Sequence, residues 1–249
     1  MLTEDKRKIE VIFSPSLLKY RQLKENYIIV IVDILRATTS ICTAFQWGVK
    51  SMIPVQTIDA AREYKAKGYI VAGERIEETF EFADFGNGAN EFMTPKILNQ
   101  DIVHSTTNGT VAITMAKEAK ANEILIGAFS NLTTLTNYIL SKKENVLILC
   151  SGWKNCFCME DTVFAGGLAQ RLMNEGDFIT NNDSTYCSLE LWEASKDNLL
   201  EEMENKAYHM KRLRRHNMDI VFPYTYKLDT CNVVPKLYND RLKDALKEE

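Results

Sequence analysis

The sequence lacks several features that would assign it at once to a common class of protein. None of its apolar runs is long enough to span a bilayer, and its first eight residues do not contain the apolar core of a signal peptide. Its formal net charge is −4, with acidic and basic residues mixed along the chain, which gives no reason to expect a nucleic acid or a membrane as a partner. The six cysteines are scattered, as in a reduced cytosolic protein. We therefore expect a cytoplasmic protein without membrane segments.

The motifs of several phosphate-handling enzymes are also missing. There is no P-loop and no Gly-x-Gly-x-x-Gly turn, which argues against nucleotide hydrolysis and dinucleotide binding. A haloacid-dehalogenase-type site needs a second acid two residues after the nucleophilic one, but Leu35 stands at that spacing from Asp33. No cysteine shares a short anion-binding loop with an arginine, as in cysteine phosphatases. Cys156 and Cys158 are the only close cysteine pair, and no histidine cluster accompanies them in the sequence, so a zinc site is not expected.

What the chain does contain is a regular alternation of short apolar runs with segments of helical period. Its 249 residues, 45% of them hydrophobic, are enough for a substantial core. Continuous Val, Ile and Leu strands with intervening helices predict a three-layer α/β/α fold around a mostly parallel sheet. The predicted strands are residues 9–13, 27–32, 51–56, 69–72, 101–105, 123–128 and 146–150, and the predicted helices are residues 38–47, 58–67, 109–119, 132–142 and 160–174.

Two regions depart from this alternation. Residues 75–95 have no clear period, and their aromatic residues favour an ordered loop that packs over something. From residue 188 to about 216 the chain is helical and charged, and its basic run at 211–215 is interpreted as a solvated helix face. A short apolar or extended stretch is predicted around Val221 and at 233–235.

Polar residues follow five of the predicted strands, where a core would not place them. If the sheet is parallel, these strand ends meet at one edge, which is where open α/β sheets bind ligands. After the second strand come an acid, Asp33, a cation, Arg36, and the pair Thr38 and Thr39. The alternative for Asp33 is an ordinary helix N-cap. The five strand ends carry Asp33, Gly73-Glu74-Arg75, Thr106-Thr107-Asn108-Gly109, Ser130-Asn131 and Ser151-Gly152.

Two segments of the chain suggest particular ligands. In residues 106–110, Asn-Gly permits positive φ and successive N–H groups can form an anion-binding nest, although an ordinary strand-to-helix turn is the alternative. Glu160 and Asp161 open a helix, where acids usually complement the dipole. Beside Asp33 and Glu74 they could instead complete an oxygen-only site for Mg²⁺. The histidines are weaker signals: His104 is expected in the core, and His209 and His216 on the charged helix.

The ordered set of motifs resembles the 2-phosphosulfolactate phosphatase family over nearly the whole chain. The motifs at 33–39 and 106–110 are the most specific. The matching residues are Asp33-Ile34-Leu35-Arg36-Ala37-Thr38-Thr39, Gly73-Glu74-Arg75, Asp84-Phe85-Gly86-Asn87, Thr106-Thr107-Asn108-Gly109-Thr110, Asn131, Ser151-Gly152, Glu160-Asp161 with Ala165-Gly166, Asp219-Ile220 and Val234-Pro235.

This resemblance implies an α/β fold of two similar halves and a phosphoric monoester hydrolase. We expect one unit spanning residues 1–249, with a division between halves near residues 95–130. The implied reaction is the Mg²⁺-dependent removal of phosphate from 2-phosphosulfolactate, a step toward coenzyme M. The chain departs from the family where Gly88-Ala89 replaces the usual Ser-Pro, and where residues 76–81 are unusually acidic. Both departures concern the substrate more than the reaction.

The residues therefore take the following expected roles. Asp33 would bind metal or attack phosphorus, Glu74 and Asp161 would be metal ligands or bases, and Arg36 and Arg75 would neutralise a phosphate or a second acidic group. A direct attack by water and a covalent aspartyl intermediate are both open, and a non-catalytic anion binder of the same fold or a phosphatase for another organic acid is the alternative. A homodimer is the default assembly. The expected substrate-binding residues are Thr38, Thr39, Thr106, Thr107, Asn108, Gly109 and Asn131.

Overall fold

The predicted α/β fold is confirmed. The computed structural model describes residues 6–21, 23, 26–75, 78–106, 108–154 and 156–248, with the side chains of all of these except residues 75 and 78. Within this part of the chain eleven strands pair into one sheet. They are β1 Arg7–Ile12, β2 Tyr27–Val32, β3 Ser51–Pro54, β4 Ile70–Arg75, β5 Glu78–Thr79, β6 Asp101–Ser105, β7 Glu123–Gly127, β8 Asn145–Cys150, β9 Phe178–Ile179, β10 Pro235–Tyr238 and β11 Arg241–Asp244.

Helices cover the two faces of this sheet and give a three-layer arrangement. The predicted strands and helices are all present, and their ends differ from the prediction by three residues at most. The helices are α1 Pro15–Leu18, α2 Ala37–Gln46, α3 Ile58–Ala66, α4 Gly109–Glu118, α5 Leu132–Leu140, α6 Met159–Glu175, α7 Asp183–Glu193, α8 Leu199–Lys206, α9 Tyr208–Arg215 and α10 Phe222–Thr225. No helix among the described residues combines the length and apolar character that a membrane crossing requires.

Val221, predicted in a short apolar or extended stretch, is buried and lies in the 3₁₀ turn Asp219–Val221, which leads directly into α10. Pro223 stands in the first turn of α10, where its fixed φ suits a helix and its missing N–H costs nothing. The described residues of the 75–95 loop agree with the expected order: they include the 3₁₀ turn Ala89–Phe92, and the Phe92 side chain is buried against Phe85.

The sheet consists of two parallel sets joined by an antiparallel hairpin. The strand order is β5-β4-β6-β3-β11-β10-β7-β2-β8-β1-β9. β4, β6 and β3 are parallel to one another, as are β7, β2, β8, β1 and β9. The hairpin of β10 and β11 pairs antiparallel with β7 on one side and with β3 on the other. Because three successive junctions are antiparallel, the two parallel sets run in opposite directions along the sheet.

The core is deepest around the second parallel set. Every residue of β2 is buried, and β8 is buried from Val146 to Cys150. Burying each Val, Ile or Leu side chain of such strands contributes about 1.5–3 kcal/mol. The apolar content of β2 stops at Val32, and the next residue is Asp33. The fully buried strand β2 therefore ends next to the first candidate site residue.

Candidate active site

A polar pocket of about 80 Å³ lies where the turn after β2 meets the turn after β6. Asp33 and Arg36 line it from the first turn, and Thr106 and Asn108 from the second. Gly109 brings the turns into contact: a Cβ at this position would lie 3.0 Å from Ala37 Cβ and 3.4 Å from Asp33 Oδ2. The two motifs that the sequence analysis singled out therefore form one site.

This contact is not the consequence of a uniformly parallel sheet. β6 and β2 belong to opposite sets, five strand positions apart. Neighbouring strands are usually rotated by about 20–25°, which amounts to roughly 100–125° over five steps and offsets much of the reversal between the sets.

The first turn is held by its own threonines. Thr38 Oγ1 accepts a hydrogen bond from the Asp33 N–H at 3.1 Å, and Thr39 Oγ1 donates to the Ile34 carbonyl at 2.8 Å. Both side chains are buried. Thr38 and Thr39 therefore fix the shape of the turn that presents Asp33 and Arg36, and a direct contact with substrate stays a prediction.

Asp33 lies in a cluster of buried carboxyl groups with Glu160 and Asp161. Burial is the largest cause that raises the pKa of Asp33, to about 6, and the nearby Glu160 adds to it. Burial also raises the pKa of Asp161 well above its usual range, reinforced by Glu160 and Asp33. One oxygen of Glu160, Oε2, is buried and has no hydrogen-bond partner among the described residues. Such a group of acids is costly without a cation or a proton.

Asp161 connects two loops of the site. Its Oδ1 accepts from the Ile34 N–H at 2.9 Å and its Oδ2 from the Gly152 N–H at 3.0 Å. Asp161 therefore joins the turn after β2 to the turn after β8, and both of its oxygens already accept a backbone hydrogen bond.

Glu74 also lines the pocket, in a row of polar contacts. Glu74 accepts from the Arg36 guanidinium through one oxygen and from Asn87 Nδ2, at 3.2 Å, through the other. Asn87 Oδ1 lies 2.9 Å from Nε2 of the buried His104, which therefore donates. Burial lowers the pKa of Arg36, which remains a cation at neutral pH. The row fixes the Arg36 guanidinium at the pocket.

His209 and Arg212 on α9 complete the wall, and the sequence analysis missed both. His209 Nδ1 lies 2.7 Å from Glu160 Oε1, and its Nε2 contacts the Arg212 guanidinium. The Arg212 guanidinium also stacks 4.5 Å from the centre of the Trp153 ring. Arg212 therefore does not lie on a solvated face, as the basic run suggested, because its guanidinium packs on Trp153, whereas the other basic residues of the run are exposed.

The other predicted residues fall in three groups. Thr106, Asn108 and Gly109 lie at the pocket, and Thr106 Oγ1 is buried without a hydrogen-bond partner among the described residues. Asn131 is buried and holds a loop: its amide bonds the Ala128 N–H and the carbonyls of Ile126 and Val233. Thr107, the side chain of Arg75, and residues 76 and 77 of the acidic loop lie outside what the structure describes.

Together these residues bring buried acids, guanidinium groups and a threonine hydroxyl to one pocket region of the α/β sheet. A buried acid cluster, fixed guanidinium groups and an unpartnered threonine hydroxyl at one pocket are typical of phosphoryl-transfer enzymes. The fold and the site thus define the class as an α/β phosphate-handling enzyme.

Comparison with known proteins identifies the family. The chain matches the family described as 2-phosphosulpholactate phosphatase over residues 12–240. Similar proteins, each named a probable 2-phosphosulfolactate phosphatase, occur in Caldanaerobacter subterraneus subsp. tengcongensis (33% identity over 88% of this chain and 90% of that protein), Thermotoga maritima (33%, 84% and 88%) and Clostridium novyi (30%, 94% and 99%). The chain belongs to the 2-phosphosulfolactate phosphatase family, a family of phosphoric monoester hydrolases.

Proposed function

We propose that this enzyme hydrolyses 2-phosphosulfolactate to sulfolactate and phosphate, that it needs Mg²⁺ and that it acts in the cytoplasm. The observation that carries the proposal is the meeting of the buried Asp33 cluster with Arg36, Arg212 and Thr106 at one pocket. Such a substrate carries phosphate, carboxylate and sulfonate groups, so its binding requires several cations and hydrogen-bond donors. The family and the named relatives support the substrate, and the six free cysteines of the chain fit a reducing compartment.

The acid cluster fits a bound Mg²⁺. Glu160 Oε2 is a buried carboxylate oxygen without a partner among the described residues, and oxygen ligands are those that Mg²⁺ prefers. Asp33 and Glu160 are the proposed ligands, with Asp161 beside them. Glu74, a metal ligand in the set predicted from sequence, is held by Arg36 and Asn87. When bound, Mg²⁺ would neutralise charge on the phosphoryl group and polarise water.

The protein groups supply the rest of the chemistry. Arg36, fixed by Glu74, would bind the phosphoryl oxygens in a bidentate manner, which also orients the ester bond. Thr106 Oγ would donate to one of those oxygens, which would give the hydroxyl the partner it lacks. Arg212 would release His209 and bind the second acidic group, because a guanidinium binds an anion more strongly than a neutral imidazole.

The test is phosphate release from 2-phosphosulfolactate, with and without Mg²⁺, by the wild type, Asp33→Asn and Arg36→Ala. We expect each substitution to lower the rate by roughly 10²–10³-fold, as does the loss of other transition-state donors. Asp59→Asn, at an exposed acid in the first turn of α3, is the matched control and should keep the full rate.

Phospholactate and phosphoglycerate, which lack the sulfonate, test the substrate. Faster hydrolysis of either than of 2-phosphosulfolactate would assign a different organic acid to the same site. Ligand-dependent thermal stabilisation with no phosphate release from any ester, with or without Mg²⁺, would instead identify a non-catalytic binder.

A further inference from the structure

A second group of potential metal ligands lies beside the pocket, on a different cavity. Cys158, Glu160 and His209 are buried and each offers one ligand atom, and these atoms lie within 4.8 Å of one another. They line a cavity of about 440 Å³ that also contacts Trp153 and Met159. The first two residues come from the start of α6 and the third from α9, 49 residues further along the chain than Glu160. This separation explains why no metal site is visible near Cys158 in the sequence.

The arrangement leaves a buried hydrogen-bond acceptor without a partner among the described residues. Cys158 Sγ lies 3.9 Å from His209 Nδ1, and Glu160 Oε1 lies 2.7 Å from the same nitrogen. Glu160 Oε2, in a side chain that is only 1% exposed, has no hydrogen-bond partner among the described residues. A buried carboxylate oxygen normally has a partner, so an unsatisfied one indicates an unfilled position for a proton donor or a cation.

We propose that Cys158, Glu160 and His209 form a binding site for a thiophilic divalent cation such as Zn²⁺. Zn²⁺ binds Cys, His and Glu at about 2.0–2.3 Å, which in tetrahedral geometry separates the sulfur from the nitrogen by about 3.6 Å and the nitrogen from the oxygen by about 3.4 Å. The first separation is close to that observed. The observed nitrogen-to-oxygen distance of 2.7 Å is shorter than the tetrahedral one, so Glu160 has to move by less than about 1 Å or to bind through Oε2. The open cavity leaves the fourth position to water.

The donor set selects against Mg²⁺ at this place. Mg²⁺ prefers carboxylates and water, whereas a thiolate favours softer ions such as Zn²⁺ and Co²⁺. The site shares Glu160 with the proposed Mg²⁺ ligands, so the two ions would compete for that carboxylate. The new site does not depend on the proposed phosphatase reaction, because its occupancy can be measured without any turnover.

Metal binding involves a defined movement of protons and of Arg212. The Cys158 thiol loses its proton to solvent when the sulfur binds the ion. The imidazole proton moves from Nδ1, which binds the metal, to Nε2. Since Nε2 contacts the Arg212 guanidinium, which can only donate, Arg212 has to move away. Arg212 and the cation therefore require different tautomers of the His209 imidazole, so that the binding of one opposes the binding of the other.

The experiment is a titration of the reduced, full-length protein with Co²⁺, followed by absorption spectroscopy. We expect one equivalent to produce a thiolate-to-cobalt charge-transfer band, and one equivalent of Zn²⁺ to abolish it. Cys158→Ser and Cys158→Ala should lose the band, and His209→Gln should weaken Co²⁺ binding at least tenfold. Cys156→Ser is the matched control, because Cys156 is two residues away, exposed and outside the ligand group, and it should keep the band.

Arg212→Met supplies a second measurement. It removes the donor that faces Nε2, so we expect it to bind Co²⁺ at least threefold more tightly than the wild type. The absence of a thiolate band in the wild type, or its persistence in folded Cys158→Ser, would overturn the proposal. Thermal melting without metal verifies that each variant is folded. If both Cys158 variants fail to fold, His209→Gln and Arg212→Met decide the matter through their opposite effects.

Discussion

At the scale of single residues, Asp33 occupies an unfavourable place for a carboxylate. Asp33 is 6% exposed, and its Oδ1 accepts a long hydrogen bond, 3.4 Å, from the Ala37 N–H. Burial therefore dominates and raises its pKa from 3.8 to about 6. Functional acids are often kept in such environments at the expense of stability.

The raised pKa makes stability fall with pH in a defined window. Below about pH 4 Asp33 is protonated in both states; between about pH 4 and 6 the unfolded chain loses the proton first, so stability decreases as pH rises. Above pH 6 the cost is constant, at about 3 kcal/mol for this change in pKa. Asp33→Asn should therefore be more stable than the wild type at pH 8 without divalent cations, by up to about 3 kcal/mol.

Urea denaturation of the two proteins at pH 4 and pH 8 checks this prediction. The difference in the free energy of unfolding should be large at pH 8 and close to zero at pH 4. An equal difference at both pH values would show that the amide changes packing and that ionisation is not the cause.

His209 marks the limit of prediction at the residue scale. Asp33 and Arg36 were predictable because they interrupt an apolar strand end, which is a local signal. His209 stands among polar and basic residues, and only the packing of α9 against the start of α6 buries it. Its partner Glu160 was ambiguous for a related reason, since an acid in the first turn of a helix is common for electrostatic reasons alone.

At the scale of elements, the contact between α2 and α4 determines how closely the two site turns approach. Gly109 opens α4 and has only a hydrogen atom where a methyl would lie 3.0 Å from Ala37 Cβ, at the start of α2. That distance is tighter than ordinary van der Waals contact, so one of the two turns would have to shift.

Gly109→Ala should therefore separate the turns. We expect a stability loss of about 1–3 kcal/mol from overpacking. We expect a larger effect on phosphate release, tenfold or more, because small displacements of catalytic groups are costly. Adding Ala37→Gly removes the opposing methyl and should restore much of the rate. Denaturation and phosphate-release assays on the two single variants and the double variant measure this coupling. Purely additive effects would contradict the contact.

Except for the two-residue strand β9, the strands of the two parallel sets were predictable because continuous apolar runs between polar segments indicate buried strands. β10 and β11 were not, since each spans only four residues and neither contains a continuous apolar run. Val233 and Val234 gave part of the signal, but the strand begins after them, at Pro235. These two strands form because they pair with distant segments of the chain, β7 and β3, and no local sequence pattern indicates that pairing.

At the scale of the whole molecule, the hairpin of β10 and β11 joins the two parallel sets. Leu242 pairs with Met52 of β3 and with Leu237 of β10, and its side chain is fully buried. The sequence predicted a mostly parallel sheet but contained no signal for the reversal between the sets. The structure brings the polar strand-end residues Asp33, Glu74 and Thr106 to one pocket, as predicted. They do not meet at one edge of a uniformly parallel sheet, which was the geometry assumed.

Leu242→Ala should destabilise both sets together. A buried Leu→Ala change costs about 2–5 kcal/mol, and because the hairpin pairs with both sets we expect one cooperative transition at lower denaturant. Leu246→Ala, at a leucine 47% exposed in the next turn, is the matched control and should change stability by less than about 0.5 kcal/mol. Circular dichroism and tryptophan fluorescence should coincide; separate transitions would show that the sets unfold independently.

The position of this hairpin in the chain has a consequence for biosynthesis. Residues 235–244 are translated after every strand of the sets that they join. Until they emerge from the ribosome, the inner edges of β3 and β7 have no partner, and unpaired edges are where chains associate wrongly. Completion of the sheet must therefore follow translation of all the other strands, and the nascent chain depends for that time on chaperones or on its own speed of folding.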